Sequence, residues 1–231
     1  MARPDRIAVI GGTGEEGFGL ALRWARAGMG VVIGSRERER GEEAAARIRA
    51  SVPGAQADGA VNEDAAASVP VVVVSVPFAG QAAIYRSLVE HIADDAVVVD
   101  CTAPLAAAVG GRASHVLGVW QGSAAEQAAA LLDGRSVCAA FHSLSASALR
   151  DLDRDLDGDV LVCGPKGAKP VVRELVDAMP GLRYVDAGPL ANARLVEPLT
   201  ALLIGLNRRY GTDRAGVRIT GLGDAGERPH P

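Results

Sequence analysis

A glycine-rich turn near the start of this 231-residue chain limits its possible folds more than any other feature. The apolar run Ile7-Ala8-Val9-Ile10 before the turn has the composition of a strand that is buried on both faces of a parallel sheet. The turn itself contains Gly12, Gly14 and Gly17, which match the spacing G-x-G-x-x-G. Glycines at this spacing allow a tight turn, a close approach of pyrophosphate to the backbone, and close packing of a helix on a strand.

The sequence after the turn favours a nucleotide site over a purely structural turn. Apolar and small residues from Gly17 to Gly28 recur at helical spacing, with Arg23 and Arg26 off that stripe, and a second buried strand is predicted at residues 31–33. This order of elements is the context in which the glycine motif binds a dinucleotide. The backbone amides of the first helical turn would bind the pyrophosphate, whereas Glu15 and Glu16 would repel it unless both side chains point to solvent.

The residues after the second strand predict which dinucleotide binds. An NAD site usually has Asp or Glu at this place, but the sequence has Ser35-Arg36, with Arg38 and Arg40 close behind. Because arginine makes planar, charge-assisted bonds to phosphate oxygens, this segment predicts NADP, recognised through its 2′-phosphate. The alternative, which applies more to Arg38 than to Arg36, is that residues 37–40 are only the charged first turn of the next helix.

Composition and charge exclude several classes of protein. Hydrophobic residues make up 48% of the chain and the formal net charge is −4, so the sequence predicts no nucleic-acid or anionic-membrane partner. No apolar run approaches the roughly 20 residues of a membrane span, and residues 1–5 are too short and polar for a signal peptide. The histidines show no metal-ligand spacing, and Cys101, Cys138 and Cys163 lie far apart in apolar runs. We therefore expect a cytoplasmic protein with reduced thiols and no metal.

Alternating strands and helices predict an α/β fold with a Rossmann-type, doubly wound parallel sheet. The further strands of this sheet are predicted at residues 55–60, 71–77, 96–100 and 136–141, and the segment 62–64 is predicted to cap a short helix. A β-α-β unit over residues 159–186 and one long helix over residues 190–210 predict a small C-terminal α/β subdomain. We expect a domain boundary between residues 1–135 and 136–231, and a frayed tail at residues 223–231.

The long C-terminal helix also bears on assembly. Its apolar stripe consists of Leu195, Leu199, Leu202, Leu203 and Leu206. That stripe packs either on its own domain or on a second subunit, and we expect a homo-oligomer, specifically a homodimer.

Two strand ends are the places to look for ligand contacts. In an open α/β sheet, ligands bind beyond the carboxyl ends of the strands, so Val76, Pro77 and Phe78 are candidates to contact the cofactor. A plain strand-ending proline explains this segment equally well. His142 follows the sixth predicted strand and opens a second candidate segment, residues 142–146, although an isolated histidine is more often structural.

The chain resembles the F420-dependent NADP reductases along nearly its whole length. The first motif of the resemblance, Ile10-Gly11-Gly12-Thr13-Gly14, is shared by many dinucleotide-binding proteins, whereas the remaining motifs in this order are more specific. They are Ile33-Gly34-Ser35-Arg36, Asn62-Glu63-Asp64-Ala65, Gly122-Ser123-Ala124-Ala125-Glu126, Ala140-Phe141-His142-Ser143-Leu144, and Asp186-Ala187-Gly188-Pro189-Leu190 with Leu199-Thr200.

This resemblance implies hydride transfer between NADP(H) and the deazaflavin coenzyme F420. It implies that the 2′-phosphate is held by Thr13, Ser35, Arg36 and Arg40, and that the pyrophosphate lies against residues 14–16. Residues 142–146 would line the nicotinamide and the deazaflavin, with Leu144 behind the nicotinamide and Ala146 beside it. Ala215 would close the nicotinamide end. Glu15 and Glu16 depart from the family, which usually has uncharged residues at these positions.

The resemblance also implies a mechanism that needs little from side chains. The cofactors carry the hydride chemistry and the protein holds their rings in contact, so we expect no essential general base. His142 would bind or orient the deazaflavin. Two alternatives remain, an NADP-dependent imine or hydroxyacid reductase and a non-catalytic NADP sensor. The first would need a proton donor, but the only lysines, Lys166 and Lys169, are predicted to lie far from the cleft.

Overall fold

The computed structural model describes residues 4–222, and the predicted frayed tail at residues 223–231 lies outside this range. Six parallel strands form the main sheet in the order β3-β2-β1-β4-β5-β6, which confirms the predicted Rossmann-type fold. The strands are β1 (Arg6–Ile10), β2 (Gly30–Ser35), β3 (Ala57–Val61), β4 (Val71–Val74), β5 (Val97–Asp100) and β6 (Ser136–Ala139). The strand order reverses between β1 and β4, which is where doubly wound sheets bind their ligands.

Helices cover both faces of this sheet. They are α1 (Glu15–Arg26), α2 (Arg38–Ser51), α3 (Asn62–Ala67), α4 (Phe78–Leu88) and α5 (Ala124–Leu131). Ile7 and Val9 of β1 belong to a core formed with α1 and α2, whereas Ala8 and Ile10 belong to a core formed with α3, α4 and α5. Burial on both faces explains why the central strands are continuous apolar runs rather than alternating ones.

The C-terminal part adds a second, two-stranded parallel sheet. Its elements are α6 (Ala146–Arg150), β7 (Gly158–Val162), α7 (Lys169–Asp177), β8 (Leu182–Asp186), α8 (Ala193–Val196) and α9 (Leu199–Tyr210), with short 3₁₀ helices at Leu190–Asn192 and, earlier in the chain, Ala106–Val109. Strand β6 is hydrogen-bonded to β5 in the main sheet, and an antiparallel bridge between Ala139 and Cys163 joins it to β7. The division at residues 135 and 136 stays a prediction.

Residues 190–210 do not form the single helix that the apolar stripe predicts. The chain breaks between α8 and α9 because Pro198 has no backbone N–H to continue the helical ladder. Glu197, directly before it, is almost fully buried, and its carboxylate accepts hydrogen bonds from the N–H groups of Ala124 (2.8 Å) and Ala125 (3.0 Å) at the start of α5. The break therefore places an anchoring carboxylate against another helix.

Helix α1 is buried on more sides than its amphipathic stripe predicts. Gly17 to Ala25 are all buried because α1 lies between the main sheet and α6. Arg23, off the apolar stripe, donates hydrogen bonds to the carbonyl oxygens of Ala148 at 2.8 Å and Leu149 at 2.9 Å. Helix α1 thus ties the glycine turn to the C-terminal part of the chain.

The three cysteines are buried, as their apolar surroundings in the sequence predict. Cys101, Cys138 and Cys163 are free, buried thiols, and burial raises the pKa of each. Within residues 4–222, no helix has both the length and the apolar character that crossing a bilayer requires.

Candidate active site

The turn after β1 is shaped by close backbone approaches. Gly11 has a positive φ of +81°, and a Cβ at this position would lie 2.2 Å from the carbonyl oxygen of Ser75. A Cβ on Gly17 would lie 2.7 Å from the carbonyl oxygen of Gly11, so α1 packs directly on the turn. The tight turn is therefore made by Gly11, which lies outside the G-x-G-x-x-G triplet, while Gly12 is buried against Val9 and Ile33.

Three adjoining cavities form one groove along the carboxyl ends of the strands. The first cavity, of about 430 Å³, lies beside β2 and shares Gly14, Val76 and Pro77 with the central cavity, of about 310 Å³. The central cavity shares Glu16 and His142 with the outer cavity, of about 530 Å³. A groove that crosses the switch point of the sheet fits an extended ligand with chemically different ends.

The first cavity brings together the residues expected to bind a 2′-phosphate. Thr13, Ser35, Arg36 and Arg40 all line it. Arg36 is exposed and has no ion pair within residues 4–222, so its guanidinium is available to a ligand. Arg40, by contrast, forms an ion pair, since its Nε lies 3.2 Å from the Glu37 carboxylate.

Arg38 is not part of this cavity. Its guanidinium donates to the Asp64 carboxylate on α3 at 2.7 Å, and both side chains are about half exposed. The alternative interpretation of Arg38, as part of a charged first helical turn, therefore describes it better than a phosphate-binding role.

Asn62 also lines the first cavity, contrary to its predicted role as a helix cap. Val61 occupies the cap position of α3 and no side chain caps the helix. The Asn62 side chain turns towards the cavity instead, where its Oδ1 is buried and has no hydrogen-bond partner within residues 4–222. Such an atom is expected to find a partner in a ligand or in water.

The two glutamates at the start of α1 point in different directions. Glu15 is exposed and lies 3.3 Å from the Arg150 guanidinium. Glu16 turns into the groove, where its Oε2 accepts a hydrogen bond from the Ser75 hydroxyl at 3.2 Å and its Oε1 is buried without a partner in the described chain. Glu16 therefore does not point to solvent, so orientation alone does not prevent it from repelling a pyrophosphate. Burial raises its pKa to about 8, so at neutral pH it is mostly uncharged and does not repel a pyrophosphate.

His142 forms part of the wall between the central and outer cavities. Phe141, just before it, has a left-handed backbone with φ of +66° and packs edge-on against Trp24 at 5.5 Å between ring centroids. A left-handed conformation is unfavourable for phenylalanine and persists only where packing imposes it. Burial lowers the pKa of His142 to about 4, so its imidazole is neutral at physiological pH. Its Nδ1 is buried and lacks a partner within residues 4–222.

The outer cavity brings together residues from the C-terminal part of the chain. Leu144, Ala146 and Ala215 all line it, as does Asn207 of α9. The Ala215 N–H donates to the Asn207 side-chain oxygen at 2.9 Å, which holds the segment after α9 against the groove. Of the other predicted residues, Glu15 and Gly17 line the central cavity, whereas Phe78 and Gly12 do not line any of the three cavities.

Several groove residues were not identified from the sequence. They are Gly11, Ser75, Cys101, Thr102 and Thr200. Ser75 follows β4 and Cys101 follows β5, so the rule that ligands bind beyond the carboxyl ends of parallel strands could have found them. Thr200 belongs to the resemblance motif Leu199-Thr200, but no role could be assigned to it from the sequence. It reaches the groove from α9 and donates its hydroxyl hydrogen to the His142 carbonyl oxygen at 2.8 Å.

The sheet order, the glycine turn at the switch point and the groove together define a Rossmann-type fold with a groove in the place where such folds bind dinucleotides. A family model described as "NADP oxidoreductase coenzyme F420-dependent" matches residues 6–104. The F420-dependent NADP reductase of Methanothermobacter thermautotrophicus is 44% identical over 94% of this chain and 95% of its own length. The enzyme of that name from Methanocaldococcus jannaschii is 40% identical over 94% of this chain and 99% of its own. The chain belongs to the F420-dependent NADP reductase family.

Solved structures agree with this assignment of the fold. A candidate F420-dependent NADP reductase from Arthrobacter sp. FB24 superposes with a TM-score of 0.78 and 27% identity, over 93% of this chain and 98% of the other. An imine reductase from Streptomyces aurantiacus superposes with a TM-score of 0.56 and 19% identity, over 89% of this chain and 63% of the other, and shares the fold alone.

Proposed function

We propose that this chain transfers a hydride between NADP(H) and the deazaflavin coenzyme F420, in the groove described above. Family membership supports the activity. The observation that carries the assignment of the groove concerns its buried polar atoms. Within residues 4–222, three buried side-chain atoms lack a hydrogen-bond partner, on Glu16, Asn62 and His142, and all three residues line this groove. Buried polar atoms are normally satisfied, so a ligand with polar groups along its length fits their distribution.

The first cavity would hold the adenosine end of NADP(H). We assign the 2′-phosphate to Ser35 and Arg36, with Thr13 and Arg40 at its edge, because an unpaired exposed guanidinium beside a hydroxyl is suited to phosphate oxygens. The pyrophosphate would lie against the backbone at residues 14–17, at the positive end of the α1 dipole. Because Glu16 is neutral at pH 7, it would not repel a pyrophosphate bound at this place.

The nicotinamide would lie where the central and outer cavities meet, next to Leu144 and Ala146, and the deazaflavin would lie beside it in the outer cavity. The cofactors supply the hydride chemistry when both are bound, and this chain's residues bind and orient the rings and exclude water. Val76 and Pro77 form one wall of the central cavity, and Leu144, Ala146 and Ala215 line the outer cavity. His142 is neutral at physiological pH, so it serves in hydrogen bonding rather than as a charged acid.

The rival enzyme, an imine or hydroxyacid reductase, would have no lysine as a proton donor in this groove. Lys169 is buried in an ion pair with Asp186, and neither Lys166 nor Lys169 lines the three cavities. A non-catalytic NADP sensor is distinguished by experiment rather than by geometry.

The decisive experiment mixes the purified protein with NADPH and oxidised F420 and follows the visible absorbance of F420. We expect the absorbance to fall with enzyme-dependent kinetics, and NADH to support a much slower reaction. A folded protein that binds NADPH but causes no absorbance change would contradict the proposed activity and favour the sensor.

We also propose that the protein is a homodimer, through the exposed apolar surface of α8 and α9. Leu195 is 68% exposed, Leu202 is 56% exposed, and Trp120, in the loop before α5, is 98% exposed. Large exposed apolar side chains of this kind are typical of an interface between subunits. Leu202→Glu should convert a dimer to a monomer in light scattering. A parent protein that is monomeric at micromolar concentration would contradict the proposal.

Two further assignments belong to the same proposal. A cytoplasmic location is supported by three buried free thiols, which suit a reducing compartment. The division into an NADP-binding part at residues 1–135 and a smaller part at residues 136–231 is supported by the separate second sheet, which limited proteolysis would test.

A further inference from the structure

The side chain of Glu16 faces the groove in a way that phosphate binding does not require. It lines both the central and the outer cavity, where the two cofactor rings are assigned. One carboxyl oxygen accepts the hydrogen bond of Ser75, and the other, Oε1, is buried without a partner within residues 4–222. A buried carboxyl oxygen in this state is costly unless a bound ligand completes its hydrogen bonding.

His142 presents a second atom of the same kind to the same two cavities. Only 4% of the residue is exposed, and its Nδ1 has no partner in the described part of the chain. A neutral imidazole has one nitrogen that donates and one that accepts. Hydrogen bonding to the backbone at Val196 and Ala140 raises the pKa of His142, so the protonated ring nitrogen donates to the backbone and the unprotonated nitrogen is the acceptor.

We propose that Glu16 and His142 together bind an amide edge of a cofactor ring, with the Glu16 carboxyl group donating to the amide oxygen and the unprotonated ring nitrogen of His142 accepting from the amide N–H. The proposal rests on the proposed function for the identity of the rings. Both rings offer such an edge, the nicotinamide through its carboxamide and the deazaflavin through its pyrimidinedione ring. Glu16 would then position a ring for hydride transfer without exchanging a proton with it.

The groups around Glu16 favour the protonated form on which this pairing depends. Burial raises the pKa of Glu16 to about 8, the Asp100 carboxylate at the end of β5 adds to that effect, and the Ser75 hydrogen bond opposes it. Cys101 also faces the central cavity, and its own pKa is raised well above the usual value, so it adds no charge at neutral pH.

The remaining charged neighbours lie on the outer side of the groove. Glu15 on the same helix lies 3.3 Å from Arg150 of α6, and Asp213 lines the outer cavity from the segment after α9. His142 is neutral because burial lowers its pKa to about 4. Glu16 is therefore a hydrogen-bond donor at pH 7 and loses that role as the pH rises through about 8.

The test compares the dissociation constants of the parent and of Glu16→Gln at each pH from 6.5 to 9.5. NADPH, oxidised F420 and 2′,5′-ADP are titrated separately, and the ratio of the two proteins' constants cancels the titration of the ligand itself. Glutamine keeps the donor and cannot ionise, so the parent should bind as well as Glu16→Gln at pH 6.5 and about tenfold more weakly at pH 9.5 for the ligand that carries the amide edge. 2′,5′-ADP has the phosphates but no ring amide, so its ratio measures only the repulsion by ionised Glu16. The ratio for the ligand that carries the amide edge should change more with pH than the ratio for 2′,5′-ADP.

Two further variants separate the donor from simple removal of a charge. Glu16→Met removes the donor at similar length and should weaken binding of that ligand about tenfold already at pH 6.5. Glu90→Gln removes an exposed carboxylate outside the groove and should follow the parent at every pH.

The outcomes are distinct from those that test the proposed function. An effect on NADPH alone assigns the edge to the nicotinamide, and an effect on F420 alone assigns it to the deazaflavin. If the ratio is independent of pH for both ligands, the pairing is refuted. If F420 does not bind to the parent protein at all, the proposed function fails, while the NADPH titration still decides whether Glu16 contacts the nicotinamide.

Discussion

Replacing Arg36 by alanine is the most direct test of the 2′-phosphate site. Arg36 is exposed at the first cavity and has no ion pair within residues 4–222, so the substitution removes no contact that stabilises the free protein. A charge-assisted hydrogen bond to a phosphate is worth about 1.5 to 3 kcal/mol. We therefore expect NADPH affinity to fall about 10- to 100-fold, and NADH affinity to change less than about threefold.

Arg38→Ala is the matched control for this prediction. It removes the same guanidinium two residues along the chain, but Arg38 pairs with Asp64 at 2.7 Å and does not line the cavity. Because both partners are about half exposed, its loss should cost less than about 1 kcal/mol of stability. NADPH affinity should change less than about threefold. Arg40→Ala should give an intermediate loss, since Arg40 already shares its charge with Glu37 at 3.2 Å.

The assay is calorimetric titration of each variant with NADPH and with NADH at pH 8, where a phosphate monoester is fully ionised. The ratio of the two dissociation constants is the quantity to compare. Equal losses of NADPH affinity in Arg36→Ala and Arg38→Ala would refute the reasoning. So would a parallel loss of NADH affinity in Arg36→Ala, because NADH has no 2′-phosphate for the guanidinium to bind.

Three further predictions concern stability and binding. Folding raises the pKa of Glu16, so the contribution of this group to the free energy of unfolding is lost as the pH rises towards about 8. In scanning calorimetry, Glu16→Gln should melt about 5 °C above the parent at pH 9 and within about 1 °C of it at pH 5. Folding lowers the pKa of His142, so the parent loses stability as the pH falls from about 6.5 to 4. In denaturant titrations, the free energy of unfolding of His142→Gln should fall less steeply over this pH range. The same substitution should raise the KM for F420 more than it lowers kcat. Gly11→Ala should destabilise the protein by at least about 2 kcal/mol, because its Cβ would meet the Ser75 carbonyl oxygen, whereas Gly80→Ala, in open space on α4, should be neutral or stabilising by about 1 kcal/mol. A Gly11→Ala protein as stable as Gly80→Ala would contradict the last of these.

Much of the fold could be predicted because its signals are local. The apolar runs at β1, β2 and β4 reflect burial on both faces, and the strand-turn-helix order defines a right-handed crossover wherever it occurs. The exception was residues 190–210, where the apolar stripe continued through Pro198 and concealed the break. The stripe records which face is apolar and not whether the backbone ladder is continuous.

In the candidate site, too, the local sequence predicts some residues correctly and not others. Ser35 and Arg36 could be assigned from sequence because they directly follow a strand whose end faces the ligand crevice. Asn62 was assigned to the wrong role because a helix cap and a cavity-facing amide have the same local sequence. Thr200 was part of a resemblance motif but could be given no role, since 58 residues separate it from the His142 carbonyl oxygen that it contacts.

The sequence by itself determined the parallel sheet, the glycine turn and the positively charged residues that follow β2, because each depends on neighbouring residues and on a fixed backbone period. Only the tertiary structure decided which charges are present in the groove. Glu15 and Glu16 are adjacent and chemically identical, yet one pairs with Arg150 at the surface and the other is half-buried and hydrogen-bonded to Ser75, 59 residues away. Desolvation by distant segments sets the protonation of such a group, and no local pattern records it.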